Sequence, residues 1–447
     1  MPQPVVAQRD TDHDSVPVVP ITVLMRATRS QPLPRAARIF FWLSAAVAVA
    51  LTAQLFFFAV TADARWAIAP SKEFFVPHWC PLGWIEAESR ARAGANVYAF
   101  APREPVSGTD PDPFLYAPPF LLTPRLMFAI TTDLTLLRVG WLLLQVLTTL
   151  TTFVLVAASV GGAVGTRMIW LVPAVWVAPA FLIGLQIGNP HVSVLAAAIA
   201  GVLLIQSSRW VAGSGLLAAA ITVKLFPAVL LIYFAGQRHW RAVAGSIAWL
   251  AALSIVAVLL FGPRVVTDYF GALPTIQDGS SVIQFTENRD IAPSNHSVLG
   301  ATRKLAAIGM EQFTTRRSQL IQTAYGVGIV ILALVLGWRA SKGPPHGPDL
   351  MTILIVCLAL LNLASFRSPF LPDAYAFVGT VWLCTLLLAR LDALGWKPVV
   401  AFIIGWIGMA PIWGGNTATP EPFTLVVVFS LIVQVGVFAL NLRSARL

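Results

Sequence analysis

Runs of about twenty apolar residues, each ended by charges or by Gly and Pro, recur along this chain and decide what it can fold into. Crossing the ~30 Å hydrocarbon core of a bilayer takes about 20 residues of helix. A backbone in lipid must satisfy its own hydrogen bonds, so such runs read as helices and not as loops or open sheets. They fall near 39–60, 135–159, 168–187, 191–206, 241–262, 319–337, 349–364, 374–389, 399–413 and 422–441. Only 11% of the residues are charged against 57% hydrophobic, where soluble domains carry roughly 25% charge. A soluble single-core protein is excluded. The first run is too long and too far from the N-terminus for a secretory signal, so it is expected to stay as an anchor.

The stretch 211–236 is interrupted by Lys224 and Pro227 and flanked by Arg209, Arg238 and Arg241. Two short helices meeting at Lys224 put both basic flanks on one side, as the positive-inside rule prefers, so this stretch is read as a hairpin. The segment 117–131, opened by Pro118-Pro119 and cut by Pro124-Arg125, fits a re-entrant or surface-lying helix. The expectation is an all-α, polytopic membrane protein of about twelve transmembrane helices with both termini cytoplasmic. Residues 1–37 form a disordered cytosolic tail and 38–447 the membrane domain.

This topology accounts for the net charge of +10. Fifteen basic and five acidic side chains fall on the cytoplasmic side, and the remaining fifteen bases and fifteen acids balance outside. Nucleic acid is therefore not an expected partner. Cys80, Cys357 and Cys384 form no paired framework, and no His pair or carboxylate cluster has metal-ligand spacing, so no metal or cofactor is expected.

Two outer loops are long, about 62–116 and 263–318, and function is sought there, since simple helix connections need only about 2–8 residues. The first is expected to carry a surface helix over Pro81–Ala93, closed by Gly94. Lys224 is the sharpest single signal, because an ammonium within an apolar segment costs about 2.5–3.5 kcal/mol on insertion scales. At a hairpin tip it would meet a lipid phosphate. Arg303 and Arg367 are further phosphate candidates, each equally readable as a surface arginine. His191, after Gly188-Asn189-Pro190, reads either as a substrate ligand or as part of a helix-capping cluster. Trp66, Trp79 and Trp84 suit an interfacial belt better than sugar stacking.

Five local patterns occur in order: Gly94-Ala95-Asn96-Val97-Tyr98, Phe114-Leu115-Tyr116-Ala117-Pro118-Pro119, Gln186-Ile187-Gly188-Asn189-Pro190-His191, Val223-Lys224-Leu225-Phe226-Pro227, and Asn295-His296-Ser297 with Arg303. In order and spacing they resemble glycosyltransferase family 87. The resemblance implies a GT-C-like helical bundle whose large first extracytoplasmic loop carries surface helices. It implies inverting transfer of a hexose, mannose-like, from a polyprenyl-phosphate sugar to a glycolipid or cell-envelope glycan, outside the cell (inner) membrane. Substrate-binding residues on the matching motifs would include Tyr116, Asn189, His191, Lys224, Asn295 and Arg303.

The family's catalytic Asp is expected shortly after the first span, and this sequence departs from that pattern. Counting back from Tyr98 lands near Cys80. Asp63, Glu73 and Glu86 compete for the role of base. Asp63 is ranked first because it follows the first helix directly, and Glu86 second, with solvated helix-end or polar-face charges as the other reading of both. Asp110 and Asp112 read as turn residues. A transporter or lipid flippase, and a non-catalytic envelope-assembly protein, are the alternatives to an enzyme.

Overall fold

The computed structural model describes residues 35–68, 79–99, 113–277, 292–342, 349–391, 400, 402–406 and 420–446. Glu73, Asp110, Asp112, the tail ahead of residue 35 and most of the run 399–413 lie outside them. The described residues are all-helical with no strand. In chain order the helices are α1 Arg35–Thr61, α2 Pro81–Arg92, α3 Leu122–Ile130, α4 Leu134–Val160, α5 Gly162–Trp176, α6 Pro179–Gln186, α7 His191–Gln206, α8 Trp210–Val223 and α9 Val229–Gly236. Then follow α10 Trp240–Phe261, α11 Arg264–Gln277, α12 Val298–Ala307, α13 Thr315–Ser341, α14 Leu350–Ser365, α15 Asp373–Ala376, α16 Val378–Arg390 and α17 Pro420–Ala445.

Among the described residues six helices are long and apolar enough to cross a membrane, and a seventh span is reached if α5 and α6, bent by 63°, count as one. The protein is therefore a polytopic membrane protein. Four further apolar helices, α7, α8, the stretch Phe226–Gly236 that includes α9, and α14, have only 10–17 residues. Helices stand where nearly all the expected runs lie, but the expected number of about twelve spans exceeds the helices that can cross alone. Shorter helices can still be accommodated, because inner ones face protein rather than lipid.

Burial follows that division. α14 is apolar all round and sealed, with Leu354, Ile355, Leu358 and Leu361 fully buried, as a central helix must be. α10 shows Ile247, Ile255 and Leu259 on its surface, the pattern of a helix that meets lipid tails. Small residues let inner helices close up: a Cβ on Gly213 of α8 would lie 2.7 Å from the Gly201 carbonyl of α7. Without a hydrophobic force between helices in lipid, such close packing and interhelical hydrogen bonds hold the bundle. Asn362 of α14 donates to Asn441 Oδ1 of α17 at 2.8 Å, and Asn441 donates to Thr380 Oγ1 of α16 at 3.1 Å.

Capping sets several helix starts. Asp133 accepts from the amides of Thr135 and Leu136 to open α4, and Asp349 accepts from Thr352 to open α14, each satisfying orphan N–H groups. The stretch 117–131 forms a 3-10 turn over Pro118–Leu121 and the nine-residue α3, too short to cross. The expected surface helix is present as α2, and about half of its residues are buried. Trp84 and Glu88 are buried, and Glu88 lies within 3.0 Å of Arg92 and 3.5 Å of Arg125. That buried carboxylate ties α2 to α3 and does not belong to a solvated face. Trp79 is buried as well, so of the three loop tryptophans only Trp66, 40% exposed, has the exposure a belt residue needs.

Candidate active site

The turn 186–191 is the floor on which the site is built. Gly188 has φ +69°, and a Cβ there would lie 2.6 Å from Trp79 Nε1, so both the backbone conformation and the packing require glycine. Its carbonyl accepts from Trp141 Nε1 at 2.8 Å, and the Asn189 carbonyl accepts from Gln145 Nε2 at 2.7 Å. Cys80 lays its amide on the Ile187 carbonyl at 2.9 Å, which brings the start of α2 onto this turn. Asn189 Oδ1 accepts the His191 amide at 3.1 Å.

The break at Lys224 is where the interrupted apolar run places it. α8 ends at Val223, Lys224 is extended (φ −144°, ψ 137°), and a 3-10 turn begins at Phe226. α8 packs on α7 and α10, whereas α9 packs chiefly on α13 and also touches α10 and α14, so the two halves share α10 but differ in their main neighbours. The Lys224 ammonium lies over the Tyr375 ring at 4.8 Å from its centroid, a cation–π contact. The His191 imidazole stacks on Phe226 at 5.0 Å and on Tyr375 at 5.7 Å.

These side chains line a cavity of about 670 Å³. Its polar part includes Tyr116, Asn189, His191, Lys224, Arg367 and Tyr375, and its apolar part is formed by residues such as Val229, Ile232, Leu273, Ile276, Val327 and Val330. Five of the nine expected site residues therefore meet here, from segments more than 250 residues apart. Tyr375 was not anticipated. It stands near the start of an apolar run, and only its contacts with Lys224, His191 and Cys80, whose Sγ is 3.8 Å from its hydroxyl, mark it.

Four expected residues are not cavity-lining. Asn295 spends its amide on the chain: Oδ1 accepts from Ser297 and Leu371, and Nδ2 donates to the Pro369 carbonyl. It braces the cavity wall rather than facing into it. Arg303 sits on α12, whose buried neighbour Lys304 donates to Ser430 Oγ at 2.7 Å and Gln434 Oε1 at 3.4 Å. Asp63 pairs with Arg65, Oδ2 at 2.5 Å from Nη2 and 2.8 Å from Nε. The Arg65 hydrogen bonds hold its carboxyl below the usual carboxylate range, and a lowered pKa makes a weaker base. Glu86 lies 3.7 Å from Arg90 on α2. Among the described residues, no Asp or Glu lines the cavity, and no group of three His, Cys, Asp or Glu could hold a metal ion.

Behind the wall, His296 Nε2 and Asp373 Oδ1 form a buried hydrogen-bonded pair. The His296 amide donates to the Leu371 carbonyl at 2.8 Å, and the Val298 amide to Phe366 at 2.8 Å. The Asn295-His296-Ser297 motif thus clasps segment 366–373, which carries Arg367 and leads into Tyr375.

Burial pushes the Lys304 ammonium down to about 7, against an ordinary value of 10.5, with Asp373 opposing. The unfolded chain then binds more protons than the folded one between these values, so stability rises with pH from about 7 to about 10.5. Thermal unfolding in detergent across this window should show that rise, and Lys304→Met should flatten it.

Comparison with known proteins places this geometry. The description Glycosyltransferase family 87 matches residues 114–369, more than half of the chain. The polyprenol-phosphate-mannose-dependent alpha-(1-2)-phosphatidylinositol pentamannoside mannosyltransferase of Mycolicibacterium smegmatis is 25% identical over 252 residues, 54% of either chain. The match thus spans about half the length of that curated relative. No solved structure matches. The matched region runs from the Phe114 motif through Lys224 to Arg367 and Pro369, and with it the chain belongs to glycosyltransferase family 87.

Proposed function

We propose that the protein transfers mannose from a polyprenyl-phosphate donor to a glycolipid or envelope-glycan acceptor on the extracytoplasmic face of the cell membrane, with inversion. The carrying observation is the composition of the cavity: Lys224 and Arg367 share one space with an apolar wall from α9, α11 and α13. A lipid phosphate needs both, cations for its head and an apolar surface for its chain. The name of the mycobacterial relative, which is polyprenol-phosphate-mannose-dependent and acts on a phosphatidylinositol mannoside, fits the same donor and a glycolipid acceptor.

In this reading the acceptor hydroxyl oxygen bonds to the anomeric carbon as the bond from that carbon to the phosphate oxygen breaks. The leaving phosphate takes up negative charge, which Lys224 and Arg367 stabilise in a site of low dielectric. Tyr116, His191 and Tyr375 offer aromatic and polar walls for the sugar. The acceptor proton passes to a base; Asp63 and Glu86 remain the sequence-based candidates, though their described positions do not bring them to the cavity.

The test is sugar transfer by the purified protein in nanodiscs. Radiolabelled polyprenyl-phosphate mannose is supplied with a phosphatidylinositol mannoside acceptor, and product is followed by lipid extraction. Label should move to the acceptor and polyprenyl phosphate should be released. Absence of labelled product would sink this reading, and movement of intact donor across the bilayer of sealed proteoliposomes without transfer would favour a lipid flippase.

A further inference from the structure

We propose that Gly326 on α13 is a positioning residue for Arg367, its missing side chain forming the slot through which the guanidinium is laid into the cavity to grip the donor phosphate. This rests on the reading of the cavity as a lipid-phosphate site. A Cβ built on Gly326 would lie 2.7 Å from Arg367 Nε, 2.9 Å from Cδ and 3.8 Å from Cζ, and these are its three nearest neighbours. The close approach therefore involves the Arg367 side chain and not a helix backbone. Both residues line the cavity.

The same face of α13 fixes the backbone from which Arg367 springs. Gln322 Nε2 donates to the Arg367 carbonyl at 2.8 Å, and the Tyr325 hydroxyl donates to the Leu363 carbonyl at 2.6 Å. With its carbonyl anchored one turn before Gly326, the arginine stem has to cross α13 at that residue. The fork of a guanidinium holds a phosphate through two parallel hydrogen bonds, so its orientation matters more than it would for a lysine. Gly is a poor choice over Ala inside a helix, which gives the position a cost that the slot explains.

The helix also supplies its own control. Gly328, two residues on, has open space where a Cβ would stand. Gly326→Ala and Gly328→Ala therefore make the same chemical change on one helix, but only the first displaces Arg367. Because the atoms that must move belong to a flexible side chain, Gly326→Ala is expected to fold with its guanidinium out of place.

The experiment measures binding of polyprenyl phosphate and of the phosphate-free polyprenol to the full chain in nanodiscs. Gly326→Ala should weaken polyprenyl phosphate binding roughly tenfold, as loss of a charged hydrogen bond does, and leave polyprenol binding unchanged. Gly328→Ala should match the unsubstituted protein for both lipids. In an Arg367→Ala background, adding Gly326→Ala should have no further effect on binding and should restore any thermal stability lost in the single variant, since the three nearest atoms belong to the deleted side chain. If Arg367→Ala loses phosphate-dependent affinity and Gly326→Ala does not, the slot is overturned while the site stands. If Arg367→Ala itself binds both lipids normally, the phosphate reading of this end of the cavity falls and the slot with it. Equal weakening for both lipids, or additive losses in the double variant, would reduce Gly326 to a packing position.

Discussion

Lys224→Ala is expected to cut transfer by about 10²–10³-fold with little change in folding. Losing one preorganised group aimed at developing charge costs about that much. Lys224 occupies the extended residue between two short helices, lies over Tyr375 and lines the cavity with His191 and Arg367. The measurement is the initial rate at varied donor concentration, paired with a melting curve to show that the variant is folded. Lys224→Arg should recover only part of the rate, because a planar guanidinium does not replace a compact ammonium at a fitted position. A variant with unchanged rate and donor dependence would remove Lys224 from phosphate binding.

The largest expected effect on stability is at Asp373. Removing one partner of a buried hydrogen-bonded pair costs about 1–3 kcal/mol, because the other is left buried and unsatisfied. Asp373→Ala strips the carboxylate from His296 and from the neighbourhood of buried Lys304. Thermal unfolding should fall accordingly. His296→Ala on top of Asp373→Ala should add little, which a double-mutant cycle would reveal. Activity should fall as well, since the pair holds the wall that carries Arg367 and Tyr375. Full additivity of the two substitutions would mean that the two residues do not act as a unit.

How much of the site could be read from the chain differs by residue. Lys224 was legible because a charge inside an apolar run violates the local pattern, and the helix break falls there. The turn at Gly188 to His191 and the helix starting at Pro81 were legible from Gly and Pro chemistry. The burial of Glu88 could not be read from the chain, because helical periodicity cannot see Arg125, which lies on a different helix. Trp79 and Trp84 were misread as belt residues for the same reason: the turn and helices that bury them lie beyond α2. Asn295 was named a substrate ligand through the resemblance of its motif, and the sequence does not show that its amide bonds to segment 366–373.

The apolar runs and motif order by themselves determined that this is a helical membrane protein, where most helices begin and end, and which family it resembles. Those properties follow from local physics, namely hydrophobic length, capping and backbone breaks. Only the tertiary structure decided which polar residues share a cavity. Lys224, Arg367 and Tyr375 meet because α9 packs chiefly on α13 and also on α14, and because the Asn295 clasp holds the wall after α14. The fit of Arg367 against Gly326 is likewise a matter of one absent methyl group. Contacts of that kind depend on how distant helices stack, and no periodicity within one segment records them.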